Sequence, residues 1–257
     1  MASADVSLAA VAVRAAAAAQ VFVDDPGRPQ VSEGDAHHLG RVLRLRDGEE
    51  VIASDGRGRW ARTVWRGSAT LEPVPAVPGV GGDGSVQTEA RAEPALTVAF
   101  APVKGERPEW VVQKLTELGI DRIVPLRSER SVVRWTGTRG QASVEKLRRV
   151  AREAAAQSRH VWLPEVCATV AFAELSALGG PGEVVLAQLS GDRPTLAQRV
   201  VAVGPEGGWS TDELASGLPT VGFGLSVLRA ETAAVTAGAL LASLRTGTVA
   251  VAGGPPS

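Results

Sequence analysis

The sequence is poorest in the residues that build covalent and metal-bound sites. It has one cysteine, Cys167, and three histidines, His37, His38 and His160. A single thiol excludes an intramolecular disulfide and any cysteine-based zinc site, and the three histidines do not make a metal constellation, so no metal is expected. No G-x-x-x-x-G-K-[ST] run occurs, and no G-x-G-x-x-G in a strand-helix context, which excludes the usual phosphate cradles. No stretch has the length and hydrophobicity of a membrane span, so no membrane partner is expected. The formal net charge is −1, so no global excess of positive charge announces nucleic acid. A reducing, cytoplasmic setting fits this composition.

What charge there is, is segregated. Between Arg122 and Arg159 stand ten basic residues (Arg122, Arg127, Arg130, Arg134, Arg139, Lys146, Arg148, Arg149, Arg152, Arg159) against Glu129, Glu145 and Glu153. From His160 to Thr220 the balance reverses. A positive segment of this kind is the footprint of a phosphate-backbone binder, with a plain solvated arginine face as the alternative.

A chain of 257 residues is long enough for one large or two ordinary domains. Residues 1–20 are alanine-rich, interrupted by Arg14 and without a basic start, which predicts a disordered or locally helical extension rather than a secretory leader. Over residues 21–75, Asp47-Gly48 and Asp55-Gly56 separate alternating runs and predict hairpins in a compact β-rich domain. A short helix there would place Leu39, Val42 and Leu43 on one face and leave Arg41 and Arg44 available to solvent or phosphate. Residues 76–93, rich in proline and glycine, read as a linker. Over 94–250, strands at 95–101, 120–126, 183–189, 199–203 and 220–223 alternate with helices at 107–118 and 142–157, which argues a parallel, helix-covered sheet. A last helix, 230–244, is apolar around most of its circumference, and residues 251–257 form a tail.

The most informative stretch is 199–233. The run Val200-Val201-Ala202-Val203 ends in Gly204-Pro205-Glu206-Gly207-Gly208, a loop with little side-chain bulk, where a ligand could approach the main chain. Ser210, with Glu213 three residues on, completes a capping box. A second strand-end loop, Gly224-Leu225-Ser226-Val227-Leu228-Arg229, follows Phe223. In open α/β sheets, ligands sit beyond the C-terminal ends of strands, so both loops would face one crevice. Alone, such a loop reads equally as a tight connection.

On these residues the chain resembles the RsmE family of SPOUT-class methyltransferases. The resemblance rests on V203-G-P-E-G-G-W-S210 together with F223-G-L-S-V-L-R-A-E-T-A233, where Phe223 and Val227 replace the usual Leu and Ile. It extends to Lys104-Gly-Glu-Arg107, Ser128-Glu-Arg130, Gln157-Ser-Arg159 and the H-x-x-R-V-L-R stretch from His38 through Arg41 to Arg44. The resemblance implies an α/β fold: a SPOUT domain with a parallel sheet and a C-terminal deep trefoil knot, preceded by a small PUA-like β-barrel. It also implies a homodimer packed through the last helix. The implied activity is S-adenosylmethionine-dependent methylation of uridine N3 in 16S rRNA, in the decoding region of the 30S subunit. Cofactor contacts are then expected from Leu186, Val203 to Gly208 and Phe223 to Leu228, with Leu225, Val227 and Leu228 either walling the adenine or packing in the core. RNA contacts are expected from His38, Arg41, Arg44, Lys104, Arg107, Arg130, Arg148, Arg149, Arg152 and Arg159.

For that reaction, orientation of an already activated methyl group supplies roughly 7–11 kcal/mol. Uridine N3–H is a weak acid, so a base or an anion stabiliser is needed. Arg229 cannot be a base, because guanidinium stays protonated, but it suits the anion. Glu231, in a first helical turn, and Glu129, beside Arg130, are the candidate bases; Glu206 is a candidate for fixing its own loop. The rival readings are a SPOUT enzyme acting on another RNA site or on ribose, a catalytically inactive RNA-binding assembly factor, and a hydrolase using Glu206 and Glu231.

Overall fold

The computed structural model describes residues 2–67, 69–75 and 82–250, and the chain divides into two compact units. The first comprises residues 1–91 and 153–163, the second 92–152 and 164–257. The expected tail at 251–257 lies outside the described residues.

In the first unit the alanine-rich start is helix α1 (Ala2–Ala16), followed by β1 (Ala19–Phe22), so the expected boundary at residue 20 falls inside a strand. A short helix α2 (Glu33–His37) runs into a π-helical turn (His38–Val42), and β2 (Glu50–Ser54), β3 (Arg59–Arg66) and β4 (Thr70–Pro73) follow. Residues 82–88 correct the linker reading. They form the hairpin β5 (Gly82–Asp83) and β6 (Val86–Thr88), and β6 pairs with β3. The sheet order is β1-β2-β3-β6-β5, with β4 also on β3.

The reason for this assembly is legible on β2, buried along nearly its whole length. Val51 and Ala53 point into a cluster with Val21, Leu39 and Trp65, whereas Ile52 faces Ala10, Ala17, Trp60 and Val161. Both faces of the strand need cover, and α1 with residues 161–162 supplies one side. Asp55 closes the β2–β3 loop by accepting at one carboxylate oxygen from the main-chain N–H of Arg57, 2.7 Å, and of Arg59, 3.1 Å. The helical face predicted for Leu39, Val42 and Leu43 is not formed. The wider π-turn buries Leu39 and leaves Val42 and Leu43 exposed.

The second unit opens with β7 (Thr97–Phe100), α3 (Arg107–Glu117) and β8 (Arg122–Arg127). Helix α4 (Gly137–Gln157) comes next, its last turn belonging to the first unit, then the two-residue strands β9 (Glu165–Val166) and β10 (Val170–Ala171). It ends with β11 (Val184–Asp192), β12 (Val200–Val203), the single turn α5 (Thr211–Leu214), β13 (Thr220–Val221) and α6 (Ala230–Arg245). The sheet is parallel, in the order β10-β8-β7-β12-β11-β13, as the alternation predicts.

Alternate residues of β12 serve opposite faces. Val201 and Val203 join Val98, Leu115, Leu147 and Leu241, while Val200 and Ala202 join Leu126, Leu175, Leu186 and Trp209. Helix α6 packs on α3 closely enough that a Cβ on Gly238 would stand 2.5 Å from Leu115 Cδ2, so a larger residue there would force Leu115 to shift. Its C-terminus is fixed by Arg245, whose guanidinium donates to Asp121 Oδ2 at 2.5 Å and to the Gly119 carbonyl at 2.6 Å. Among the described residues, no helix is long and apolar enough to cross a membrane, and no group of three or more His, Cys, Asp or Glu is placed to hold a metal.

Candidate cofactor cleft

The middle of β11, the C-terminal end of β12, the loop after β13 and the first turn of α6 enclose a cleft of about 410 Å³, a size suited to a small-molecule ligand. Ala187, Gln188 and Leu189 line it from β11. Val203, Gly204, Pro205, Glu206, Gly208 and Trp209 line it from β12 and its loop, and Phe223, Gly224, Ser226, Val227, Leu228 and Arg229 from the loop before α6. Ala230 and Ala233 close it from the helix.

Local chemistry holds these walls in place. Gly208 and Gly224 have φ of +66° and +119°, backbone states that glycine reaches without strain. The Trp209 indole N–H donates to the Ala187 carbonyl at 2.9 Å, and its ring lies 5.6 Å from that of Phe172. A Cβ on Gly204 would come within 3.1 Å of the Trp209 ring, so this glycine lets the indole lie close under the loop. The capping box forms as predicted: Ser210 Oγ accepts from Glu213 N–H at 3.2 Å, and Glu213 Oε2 accepts from Ser210 N–H at 2.9 Å. The other oxygen of Glu213 accepts from Glu129 N–H at 2.9 Å, and Arg130 Nη1 donates to the Gly207 carbonyl at 3.0 Å. The loop after β8 is thereby fastened twice to the segment that follows β12.

Of the expected cofactor residues, three stand outside the lining. Leu186 is buried in the sheet, one residue before the cleft begins. Gly207 faces Arg130, and Leu225 is fully exposed, neither walling the cleft nor packing in the core. Val227 lines the cleft but is 87% exposed. The residues that sequence reasoning missed, Ala187 to Leu189, Trp209, Ala230 and Ala233, carry no glycine signal, although the strand-end rule applied to β11 points at the first three.

Of the expected catalytic residues, Arg229 is in the cleft wall. It occupies the N-cap position of α6 with an extended ψ of 154° and is exposed; its carbonyl accepts from Ala233 N–H at 2.8 Å, while its side chain makes no hydrogen bond or ion pair among the described residues. Glu231 is outside the lining: its Oε1 lies 3.5 Å from Arg107 Nη1, and its Oε2 is buried without a hydrogen-bond partner among the described residues. Glu129 is exposed and also outside the lining.

His38, Arg41 and Arg44 are exposed in the first unit, and Lys104, Arg149 and Arg152 in the second. Arg148 is partly committed, donating from Nε to the Val166 carbonyl at 3.0 Å and pairing with Glu145. Arg159 corrects the RNA expectation. It has φ +61°, and its guanidinium donates to the carbonyls of Ala17 and Ala18, each at 3.1 Å, and of Ala156 at 2.7 Å. Burial pulls it below the usual arginine value. Main-chain carbonyls occupy Nη1 and Nη2 and Nε is buried, which leaves little for phosphate.

The same assignment comes from comparison with known proteins. Residues 91–242 match the family model of an RNA methyltransferase domain, and residues 31–64 that of an RNA methyltransferase PUA domain. The ribosomal RNA small subunit methyltransferase E of Synechocystis sp. is 33% identical over 223 residues, spanning 78% of this chain and 68% of that protein. The Mycobacterium tuberculosis protein of the same name is 32% identical over 236 residues, spanning 83% and 86%. Among solved structures, a probable rRNA-methyltransferase from Porphyromonas gingivalis superposes with a TM-score of 0.69 at 25% identity, over 90% of this chain and all of its own. The Neisseria gonorrhoeae methyltransferase E, bound to S-adenosylmethionine, shares the fold with a TM-score of 0.68 at 21% identity, over 88% and 97%. With a model match over more than half its length and relatives aligned across both units, the chain belongs to the ribosomal RNA small subunit methyltransferase E family.

Proposed function

We propose that this protein methylates N3 of a uridine in the decoding region of 16S rRNA, on the 30S subunit in the cytoplasm, using S-adenosylmethionine. The observation that carries the reading is the convergence of β11, the end of β12 and the loop after β13 on one cleft with Arg229 in its wall. The residues present fit the cofactor. Glycine main chain stands open for hydrogen bonds, Phe223, Leu228 and Ala233 offer apolar contact, and Glu206 with Gln188 can receive an ammonium group.

Bound there, S-adenosylmethionine supplies a methyl group activated by its sulfonium. The protein's part is orientation: loops fixed by Trp209, Glu213 and Arg130 hold the reacting groups in line and limit access of water. Arg229 stays protonated and favours the anion that forms as uridine loses its N3 proton. Glu206 is the one carboxylate in the lining, and Glu129 and Glu231 stand behind it as candidate proton acceptors.

Two features of the family belong to the same proposal. A trefoil knot agrees with β13 lying on the far side of β11 from β12 before the chain returns to pack α6 on β7 and β12. A homodimer agrees with the two sides of α6: Ala234, Ala237, Gly238 and Leu241 are buried within the chain, while Val235, Leu240 and Leu244 are only half-covered. Light scattering at twice the 26.5 kDa chain mass is the expected result.

The deciding experiment is incubation with labelled S-adenosylmethionine and 30S subunits that lack the modification, followed by nucleoside analysis. Label in 3-methyluridine is expected. Label on ribose or another base would move the assignment to a different RNA target, and cofactor binding without transfer would favour an assembly factor.

A further inference from the structure

Arg107 stands at the N-terminus of α3, where the helix dipole disfavours a cation. Its position is explained by what lies opposite. A single nitrogen, Nη1, lies 3.5 Å from Glu231 Oε1 and 3.9 Å from Glu206 Oε1. The two carboxylates belong to different segments: Glu206 to the glycine loop that lines the cleft after β12, Glu231, itself outside the lining, to the first turn of α6, two residues beyond Arg229. The three groups come from three separate segments, and among the described residues Glu206 makes no other ion pair. Glu231 is the most enclosed of them, with a side chain 12% exposed against 48% for Arg107 and 49% for Glu206. A carboxylate so enclosed needs a cation close by.

We infer that Arg107 is a positioning residue of the cleft rather than an RNA contact: its bridge between Glu206 and Glu231 sets the spacing between the glycine loop and the helix turn that carries Arg229. The inference rests on the cofactor reading above. It acts through the two carboxylates and requires no contact between Arg107 and the reacting atoms. Loss of the bridge frees the loop to move away from α6, so the cofactor must order it on binding, and affinity falls.

The test is calorimetric titration of S-adenosylmethionine into the full chain and into Arg107→Gln, Arg107→Lys, Glu231→Gln and Arg107→Gln/Glu231→Gln. The two single Gln variants are each expected to weaken binding about 5-fold, the scale of a partly exposed ion pair, and the double variant no more than the worse single. Arg107→Lys should recover part of the loss. The salt dependence of 16S rRNA binding by Arg107→Gln should match that of the unaltered protein. Normal cofactor affinity in both folded Gln variants, additive losses in the double variant, or a salt slope lowered by about one phosphate contact would each overturn the role. Should Arg107→Gln fail to fold, Glu231→Gln alone decides, since unchanged affinity there removes the bridge from the cofactor site. No binding by the unaltered protein would overturn the cofactor reading along with this role, whereas binding by it with unchanged variants overturns this role alone.

Discussion

Trp209 and Ala187 tie two walls of the cleft together: the indole N–H of one donates to the main-chain carbonyl of the other at 2.9 Å. The bond joins the segment after β12 to the middle of β11, at the residue where β11 stops pairing with β12 while still pairing with β13. Trp209→Phe keeps the ring over Phe172 but leaves the Ala187 carbonyl without this donor. A loss of about 1 kcal/mol in denaturant unfolding is expected, together with weaker S-adenosylmethionine binding by calorimetry. Weaker unfolding stability with unchanged cofactor affinity would show that the bond serves only the fold.

The two adjacent glycines of the loop should respond differently. Gly208 has φ +66° and open space around its Cβ position, so Gly208→Val pays for an unfavourable backbone, roughly 1–2 kcal/mol, and puts a branched side chain into the cleft lining. Gly207 has no positive φ, and a Cβ there would meet Arg130 Cβ at an ordinary 3.5 Å. Gly207→Ala should therefore bind the cofactor nearly normally, while Gly208→Val loses measurable binding. Equal behaviour of the two variants in calorimetry would contradict the assignment of Gly208 to the wall.

The arginines of the positive segment separate in the same way. Arg149 is exposed on α4, and Arg149→Ala should flatten the salt dependence of RNA binding by about one phosphate contact without shifting the melting temperature. Arg159→Ala should do the reverse. It removes charged donors from the carbonyls of Ala17, Ala18 and Ala156, each bond contributing on the order of 1.5–3 kcal/mol, and lowers stability while leaving the salt slope alone. A changed slope in folded Arg159→Ala would return it to the RNA surface.

These contrasts mark what was legible in the sequence. β12 and its loop were readable because a β-branched run followed by glycine and proline is a local signal, as were α3 and α6 from their apolar spacing. The parallel sheet followed from strand-helix alternation. Features built from distant partners were not readable. Arg159 meets Ala17 across a sequence separation of 142 residues, and nothing beside it announces that contact. The hairpin β5–β6 lies in a stretch whose glycines look like a linker, and only pairing with β3 makes it a strand. Helix α1 reads in the sequence as an extension because its cover for Ile52 and Trp60 is a tertiary fact. β11 outlasts its apolar run because Gly191 meets the main chain of Val221, where a Cβ would stand 2.4 Å from the carbonyl carbon.

At Arg229, function and stability are expected to come apart. Its side chain is exposed in the cleft wall and makes no hydrogen bond or ion pair among the described residues, so little of the fold depends on it. Helix α6 begins beside it through main-chain geometry alone, the extended ψ of 154°, with no side-chain cap to lose. If its cation favours the uridine anion, that help is felt chiefly in the transition state. Arg229→Ala should then lower kcat by the equivalent of about 2–4 kcal/mol, with the melting temperature and cofactor Kd near those of the unaltered protein. Arg229→Lys should recover only part of the rate, because a point charge does not reproduce the planar fork of donors. Melting temperature, cofactor Kd and single-turnover methylation measured on one preparation decide the matter. A normal methylation rate in Arg229→Ala would remove it from the chemistry, and a joint loss of stability and cofactor affinity would make it a clamp on the helix instead.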